Sequence, residues 1–578
     1  MSRIVFVGCT LVLIALCSTL PASERLPSLS LAIDDDPRLV APIIQHVLPA
    51  DWRILWQDAL TAPEEDLRRE AAIALMRLRQ QDAANIAQMD TAMLEGFRTT
   101  TDPIAGLSIA TALIQFDVRE AAADLHQFAS SGNIAVAQQI EPALERWKFA
   151  PIQAEWLKRI QEPTVVTATH LILAARGLAA SENKAAIPGL LKLATDEAGA
   201  TQVRIAAAMA LGTLSNDGLT DVCRRLASDL SQHGFVNRLV AANMLSGHDD
   251  EFSIQVLLAL AQDSRPAIAA TALQQLLKTD AQSVHSIARE LLTNADANVR
   301  RLAAQSLVEV PSVEAVQQLT SLLNDRHPDV RNYVRESLEA LTKQENLRET
   351  ILLQAARIIT GNNWRGLEQT ARLFGSLDHE PAAERLVELL QHKRTEVFVT
   401  AGWALRELAV AAMLPAMHEF VLRRSGEKLT TADNACFTYL FEAFGQAKYL
   451  AAAPILRSFV QPGRGQQPIS RSAAIWALGY IYESDPPGDL VQQFAGRLAA
   501  AASYPSSEHL AVGTAAAISL GRMNALAPVE SAAEIHGQGD LLYEACQWAI
   551  AQITGNEQRV TPPTRIAPRD PFLLPIAQ

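Results

Sequence analysis

Two adjacent pairs, His379-Glu380 and His418-Glu419, are the side chains of this 578-residue sequence best suited to holding a metal. Imidazole nitrogens and carboxylate oxygens together suit iron or zinc, provided that they converge on one point. Convergence is not expected here. His379 stands in a turn ahead of Pro381, whereas His418 lies inside a helical stretch, so the two pairs hold unlike positions. Neither Gly-x-Ser-x-Gly nor His-Glu-x-x-His occurs, so the common nucleophile and zinc-protease signatures are missing. His233, His248 and His327 fall in turns or loops, and His327 directly precedes Pro328, where a capping role is expected. Cys223, Cys436 and Cys546 are widely separated within apolar stretches, and read as buried thiols rather than ligands or disulfide partners. Gly463-x-Gly465 would offer backbone amides to a phosphate, yet no strand leads into it and no Gly-Lys-Ser follows. No catalytic, cofactor-binding or metal-ligating residue is assigned, no cofactor is expected, and the chain reads as a non-enzyme.

A more regular charged feature is the ladder Arg204, Arg238, Arg300 and Arg331. One reading makes it a stripe for acidic ligands. The other places each guanidinium in the first turn of a helix, reaching a carboxylate or carbonyl of a neighbouring unit. Asp263, Asp296, Asp325 and Asp329 stand near the same turns, and Ala269 interrupts the stripe, so the second reading is preferred. The tryptophans (Trp52, Trp56, Trp147, Trp156, Trp364, Trp403, Trp476 and Trp548) are spread along the chain. Trp403 and Trp476 each stand two residues before a leucine, Leu405 and Leu478, which predicts packing between units rather than an aromatic platform.

The elements that carry these residues repeat. Asp325 to Arg331, Asn294 to Arg300 and Asp263 to Ala269 follow one another at thirty-one residues, each leading to a leucine at 338, 307 or 276. The register continues upstream through Arg238 with Leu245 and Arg204 with Leu211. A fixed period of this size means stacked units, each burying its face against its neighbours. Val299, Leu302, Ala303, Ser306 and Leu307 form one buried stripe at three-and-four spacing, with Asn294 or Asp296 placed to cap the helix. A second helix follows over Ala315–Leu323, and its equivalents recur as Ala186–Leu191, Leu414–Met417 and Ala453–Leu456. The expected fold is all-α, an α-solenoid superhelix of about a dozen helix pairs over residues 24–555.

The Asp-x-x-Pro-x-Val-Arg-x-x-Ala-x-x-x-Leu run and the Ala-Ile-Pro-x-Leu-Leu run resemble HEAT repeats, specifically the short kind named after phycobilisome lyases. The resemblance is clearest over 201–341 and 397–521. It implies helix pairs with a long concave face, and binding or scaffolding more often than catalysis. Two enzymatic alternatives come with it. Deoxyhypusine hydroxylase holds two irons on several matched His-Glu pairs, of which this chain lacks the set. Bilin lyases and isomerases hold tetrapyrroles, and no residue pair here marks that activity.

Composition bounds the partners. Aromatic residues make up 5% and hydrophobic residues 49%, a mixture suited to close helix packing. A net charge of −13 argues against nucleic acid, which needs a basic stripe. Residues 1–23 read as a signal peptide: Arg3, an apolar run from Ile4 to Leu16, and small residues before Ser23. The run is shorter than the ~20 residues that span a bilayer, and Leu16 ahead of Cys17 departs from a lipobox. No integral membrane span is expected after signal removal. A proline-rich tail over 556–578 is expected to be extended or disordered, with Phe572-Leu573-Leu574 available to dock on the last repeat or reach a partner. Together these features predict an exported, secreted or periplasmic scaffold that binds a protein or peptide along concave second helices.

Overall fold

The computed structural model describes residues 29–39, 44–46, 51–80, 89–130, 132–215, 218–231, 234–463, 465–535, 540–556 and 564–566. Residues 1–23, expected to be a signal peptide, lie outside the described residues, as do His233 and Phe572-Leu573-Leu574. The described chain is helical apart from short connections, two three-residue strands and the segment 29–39. None of its helices is long and apolar enough to cross a membrane. It divides into two compact units, residues 44–315 with 563–578, and residues 1–43 with 316–562.

In the first unit, β1 (Ile44–His46) pairs in parallel with β2 (Thr564–Ile566), in the register Ile44 to Thr564. Three residues of the proline-rich tail are thus in a strand. The rest of the unit is stacked helix pairs. Numbered from Thr201, its first helices are α1 (Thr201–Leu214), α2 (Gly234–Met244), α3 (Pro266–Thr279) and α4 (Ala297–Glu309). Asp296 caps α4, accepting hydrogen bonds from the amides of Asn298 and Val299 at 2.8 and 3.1 Å.

The second unit continues with α5 (Pro328–Leu341), α6 (Trp364–Ser376), α7 (Thr395–Leu408), α8 (Thr431–Gln446), α9 (Pro468–Ile481), α10 (Leu510–Arg522) and α11 (Leu541–Thr554). A recurrent turn links three of these to their second helices. Asp378, Ala409 and Lys448 adopt positive φ (53°, 50° and 47°), and each leads into a single turn of 3-10 helix. Pro415 and Pro454 then open second helices, where the missing amide donor does no harm. The first helices pack on one another through small residues. A methyl group added at Gly445 of α8 would sit 2.7 Å from Ala477 Cα of α9, and one at Gly521 of α10 only 2.7 Å from Ala549 Cβ of α11. Trp403 of α7 likewise lies on Gly375 of α6, 2.6 Å from where a Cβ would be. Such close approach of helix axes makes the first helices a continuous layer.

Candidate functional site: a seat for residues 29–39

Residues 29–39 join no helix pair. They run across the ends of α7 to α10 as an arm whose centre is coiled: Ala32–Asp34 form a 3-10 turn, residues 35–37 continue it as a turn, and the amides of Asp34, Asp35 and Asp36 bond back to Leu31 O and Ala32 O. The arm belongs to the same compact unit as the helices beneath it.

Each of α7 to α10 supplies a polar group near its C-terminal end. On α7, Trp403 Nε1 and Arg406 Nη2 donate to Ser30 Oγ at 3.4 and 3.3 Å. On α8, Glu442 accepts the Ile33 amide at 3.1 Å through one oxygen and Arg406 Nη1 at 2.7 Å through the other. On α9, Trp476 Nε1 donates to the Asp36 carbonyl at 2.7 Å, and the Tyr480 hydroxyl bonds the Asp36 carboxylate. On α10, Arg522 Nη2 donates to the same carbonyl at 3.0 Å and lies 3.1 Å from the carboxylate. Its guanidinium rests 3.8 Å from the Tyr480 ring centre and 5.2 and 5.9 Å from those of Trp476 and Trp548, a cation held on π-faces.

Burial makes these bonds matter. Glu442 and Trp476 are wholly buried, and Trp403, Arg406 and Arg522 nearly so. An unpaired buried donor or charge is costly: Arg406 and Glu442 satisfy one another, whereas Trp476 and Arg522 take their partner from the arm. Burial pushes the Glu442 carboxyl up, with Arg406 opposing, and pushes the Arg522 guanidinium down, with Asp36 opposing. The arm itself is lightly held. None of Ala32–Asp34 is buried, and the Asp36 side chain keeps 49% of its surface exposed. Between the arm and the starts of α9, α10 and α11 lies a pocket of about 560 Å³. Leu31, Ile33, Pro37 and Leu39 wall one side, and Ile469, Leu510, Ile518 and Leu541 the other. The Thr514 hydroxyl in that wall is buried without a hydrogen-bond partner. Taken together, the arrangement can hold main chain, one carboxylate and a few apolar side chains.

The residues singled out for chemistry lie elsewhere. His379 stacks on Phe374 with ring centres 4.6 Å apart, while His418 packs edge-on to Phe444 and Tyr449. Burial lowers the pKa of both histidines. Among the described residues, no group of three or more His, Cys, Asp or Glu is arranged to hold a metal. The three cysteines are buried and free, with burial raising Cys223 and Cys546 to about 12. The loop at Gly463-x-Gly465 is filled by Asn434, which donates to the Gly465 carbonyl at 2.8 Å and accepts the Gln467 amide at 2.9 Å. His327 caps α5 by accepting the Asp329 amide at 3.3 Å.

The arginine ladder turns back onto main chain at repeat junctions. Arg204 donates to Ala194 O at 3.1 Å, Arg300 to Asn294 O at 2.8 Å, and Arg331 to Asp325 O at 2.9 Å. Arg238 bonds Asp229 O at 3.0 Å and pairs with Asp263 at 2.9 Å. Trp403 and Trp476 do pack between units, against Gly375 and Gly445, but their ring N–H groups also hold the arm. Packing alone was therefore too narrow a reading. The signal available was their equivalent position, shared by Glu442, which is a polar residue on an otherwise apolar stretch. The arm lies on first helices, where this polar row stands.

Comparison with known proteins agrees with this architecture. Residues 254–341 match the family described as HEAT repeats. No curated protein sequence matches the chain. Its fold is similar to yeast importin-beta, Kap95p, bound to RanGDP, with 15% identity over 87% of this chain and 72% of that one, at a TM-score of 0.52. It is also similar to Kap121p bound to Pho4p, with 12% identity over 87% of this chain and a TM-score of 0.50. Importin beta in an ammonium sulfate condition gives 12% identity, coverage of 86% and 72%, and a TM-score of 0.50. The chain spans 57% of the length of Kap121p. At these identities the likeness establishes the fold alone: an α-solenoid of stacked helix pairs.

Proposed function

We propose that this chain is an exported, non-catalytic scaffold that binds short protein segments on its first-helix layer. One observation carries the reading: residues 30–36 already lie there as a bound peptide would, with main chain as well as side chain recognised. Recognition through backbone groups suits segments of varied sequence, and a stacked scaffold presents such groups at fixed spacing. The similar solenoids Kap95p and Kap121p, solved with RanGDP and with Pho4p, support protein binding as the use of this architecture. Export rests on Arg3 and the apolar run that follows it. The phycobilisome-lyase repeat subtype rests on the motifs of residues 201–341.

Ile469 is partly exposed and borders the pocket, so it suits a photoreactive replacement in the full chain. Adducts with a second protein, formed in the native cell, are the expected result. Adducts absent from this position would overturn the reading. N-terminal sequencing should find the mature chain beginning between Cys17 and Glu24, and an intact Met1 in the cytosol would overturn export.

A further inference from the structure

Arg522 differs from the other buried arginines of its unit. Arg331 is held by the carbonyl of Asp325, Arg335 by Glu336 and Glu339, and Arg471 by Glu508 and Val460 O; Arg406 touches Ser30 of the arm but takes its carboxylates, Glu442 and Glu407, from the repeats. Arg522 has one carboxylate partner, Asp36, and that partner comes from the arm. Trp476 Nε1 and the Tyr480 hydroxyl are likewise directed at Asp36. Three donors from two adjacent helices thus converge on a carbonyl and carboxylate of a single residue that is not part of the stack. Arg522 Nη1 remains buried with no bond at all, one donor more than the arm satisfies. The pocket beside it is also only walled, and not filled, by the apolar residues of the arm.

We infer that Trp476, Tyr480 and Arg522 form a recognition site for an aspartate within a short acidic turn of a partner protein, and that residues 30–37 are its resident, displaceable occupant. The inference rests on the protein-binding reading and specifies its site. Charge complementarity selects the partner's chemistry: a buried guanidinium needs a carboxylate, and Glu442 needs an amide three residues before it. The matching segment resembles Leu31-Ala32-Ile33-Asp34-Asp35-Asp36-Pro37, with apolar residues preceding the acidic run. A partner segment carrying bulkier apolar residues would fill the pocket better than the arm does. Because the arm is tethered, it competes at an effective concentration in the millimolar range. Partners should accordingly bind weakly until the arm is released.

The test uses the full chain with residues 30–36 replaced by a Gly-Ser segment of equal length, and a labelled synthetic peptide of residues 29–39 as probe. Fluorescence anisotropy should show the peptide binding this released chain at least about tenfold more tightly than the unaltered chain, since an occupied seat lowers apparent affinity by its free fraction. An Asp36→Ala peptide, or Arg522→Ala in the released chain, should lose binding. A released chain that melts cooperatively yet ignores the peptide overturns the inference, as does equal binding by the Asp36→Ala peptide. Should the released chain not fold, the full chain bearing Asp36→Ala alone is scored by the same criteria. Partner adducts at position 469 that persist in Arg522→Ala would keep the protein-binding reading and overturn this site alone.

Discussion

Arg471 meets Glu508 through two hydrogen bonds, 2.8 and 2.7 Å long, which tie the start of α9 to the residue preceding the cap of α10. Both side chains are almost wholly buried, and Arg471 also donates to Val460 O at 3.1 Å. Removing one partner leaves a buried charge, so Arg471→Ala should cost about 3–5 kcal/mol, read by denaturant unfolding.

The same pair predicts acid sensitivity. Burial alone would raise the Glu508 carboxyl, but Arg471, the His509 amide and Arg497 bring it down to about 2. A carboxylate depressed in the folded state contributes stability above its ordinary pKa, 4.5, and loses it as pH falls toward 2. Glu508→Gln should therefore melt below the unaltered chain at pH 7, with the gap narrowing between pH 4.5 and 2. A gap that stays constant across that range would contradict the assignment.

Arg300 and Arg331 serve junctions within their own units, bonding the carbonyls of Asn294 and Asp325 from nearly buried positions. Replacing either by Ala should destabilise by about 1.5–3 kcal/mol, the usual worth of a charged hydrogen bond. Binding of the arm peptide by a released chain should be unaffected. Lost binding with an unchanged melting temperature would make the ladder a ligand site.

Ala409 ends α7 at φ 50° and ψ 30°, a left-handed conformation that crowds a Cβ. Glycine is relaxed there, although its unfolded chain is freer. Ala409→Gly should raise stability by about 1 kcal/mol at most, seen as a small upward shift in melting temperature.

Close helix contact makes the opposite prediction at Gly445 and Gly521. A methyl group at either would press against a neighbouring alanine, and overpacking of this kind costs about 1–3 kcal/mol. Gly488, whose added Cβ would meet nothing within 4 Å, is the control and should tolerate alanine. Equal effects at all three positions would show that helix propensity, and not packing, governs the layer.

The stack was readable because its determinants are local. Val330 and Arg331 repeat Val299 and Arg300, and a cap such as Asp296 acts on amides two and three residues away. The turns were less so. Asp378, Ala409 and Lys448 hold positive φ without being glycine or asparagine, the residues that ordinarily advertise it. The seat was hidden for a different reason. Trp403 and Trp476 stood out by position, but their partners Ser30 and Asp36 are 373 and 440 residues away, in an acidic stretch that resembles solvated linker. No periodicity relates a residue to something outside the period.

The arm gives this chain a clock. Contacts in a stacked array are mostly between neighbours, so repeats can become ordered as soon as they exist. Asp36 is an exception, because Arg522 follows it by 486 positions. At ordinary rates of synthesis that interval lasts roughly half a minute to a minute and a half, during which the seat of the arm is incomplete. A chain cut short of α10 would never complete it, and an antibody against residues 30–37 would distinguish unfinished from finished molecules.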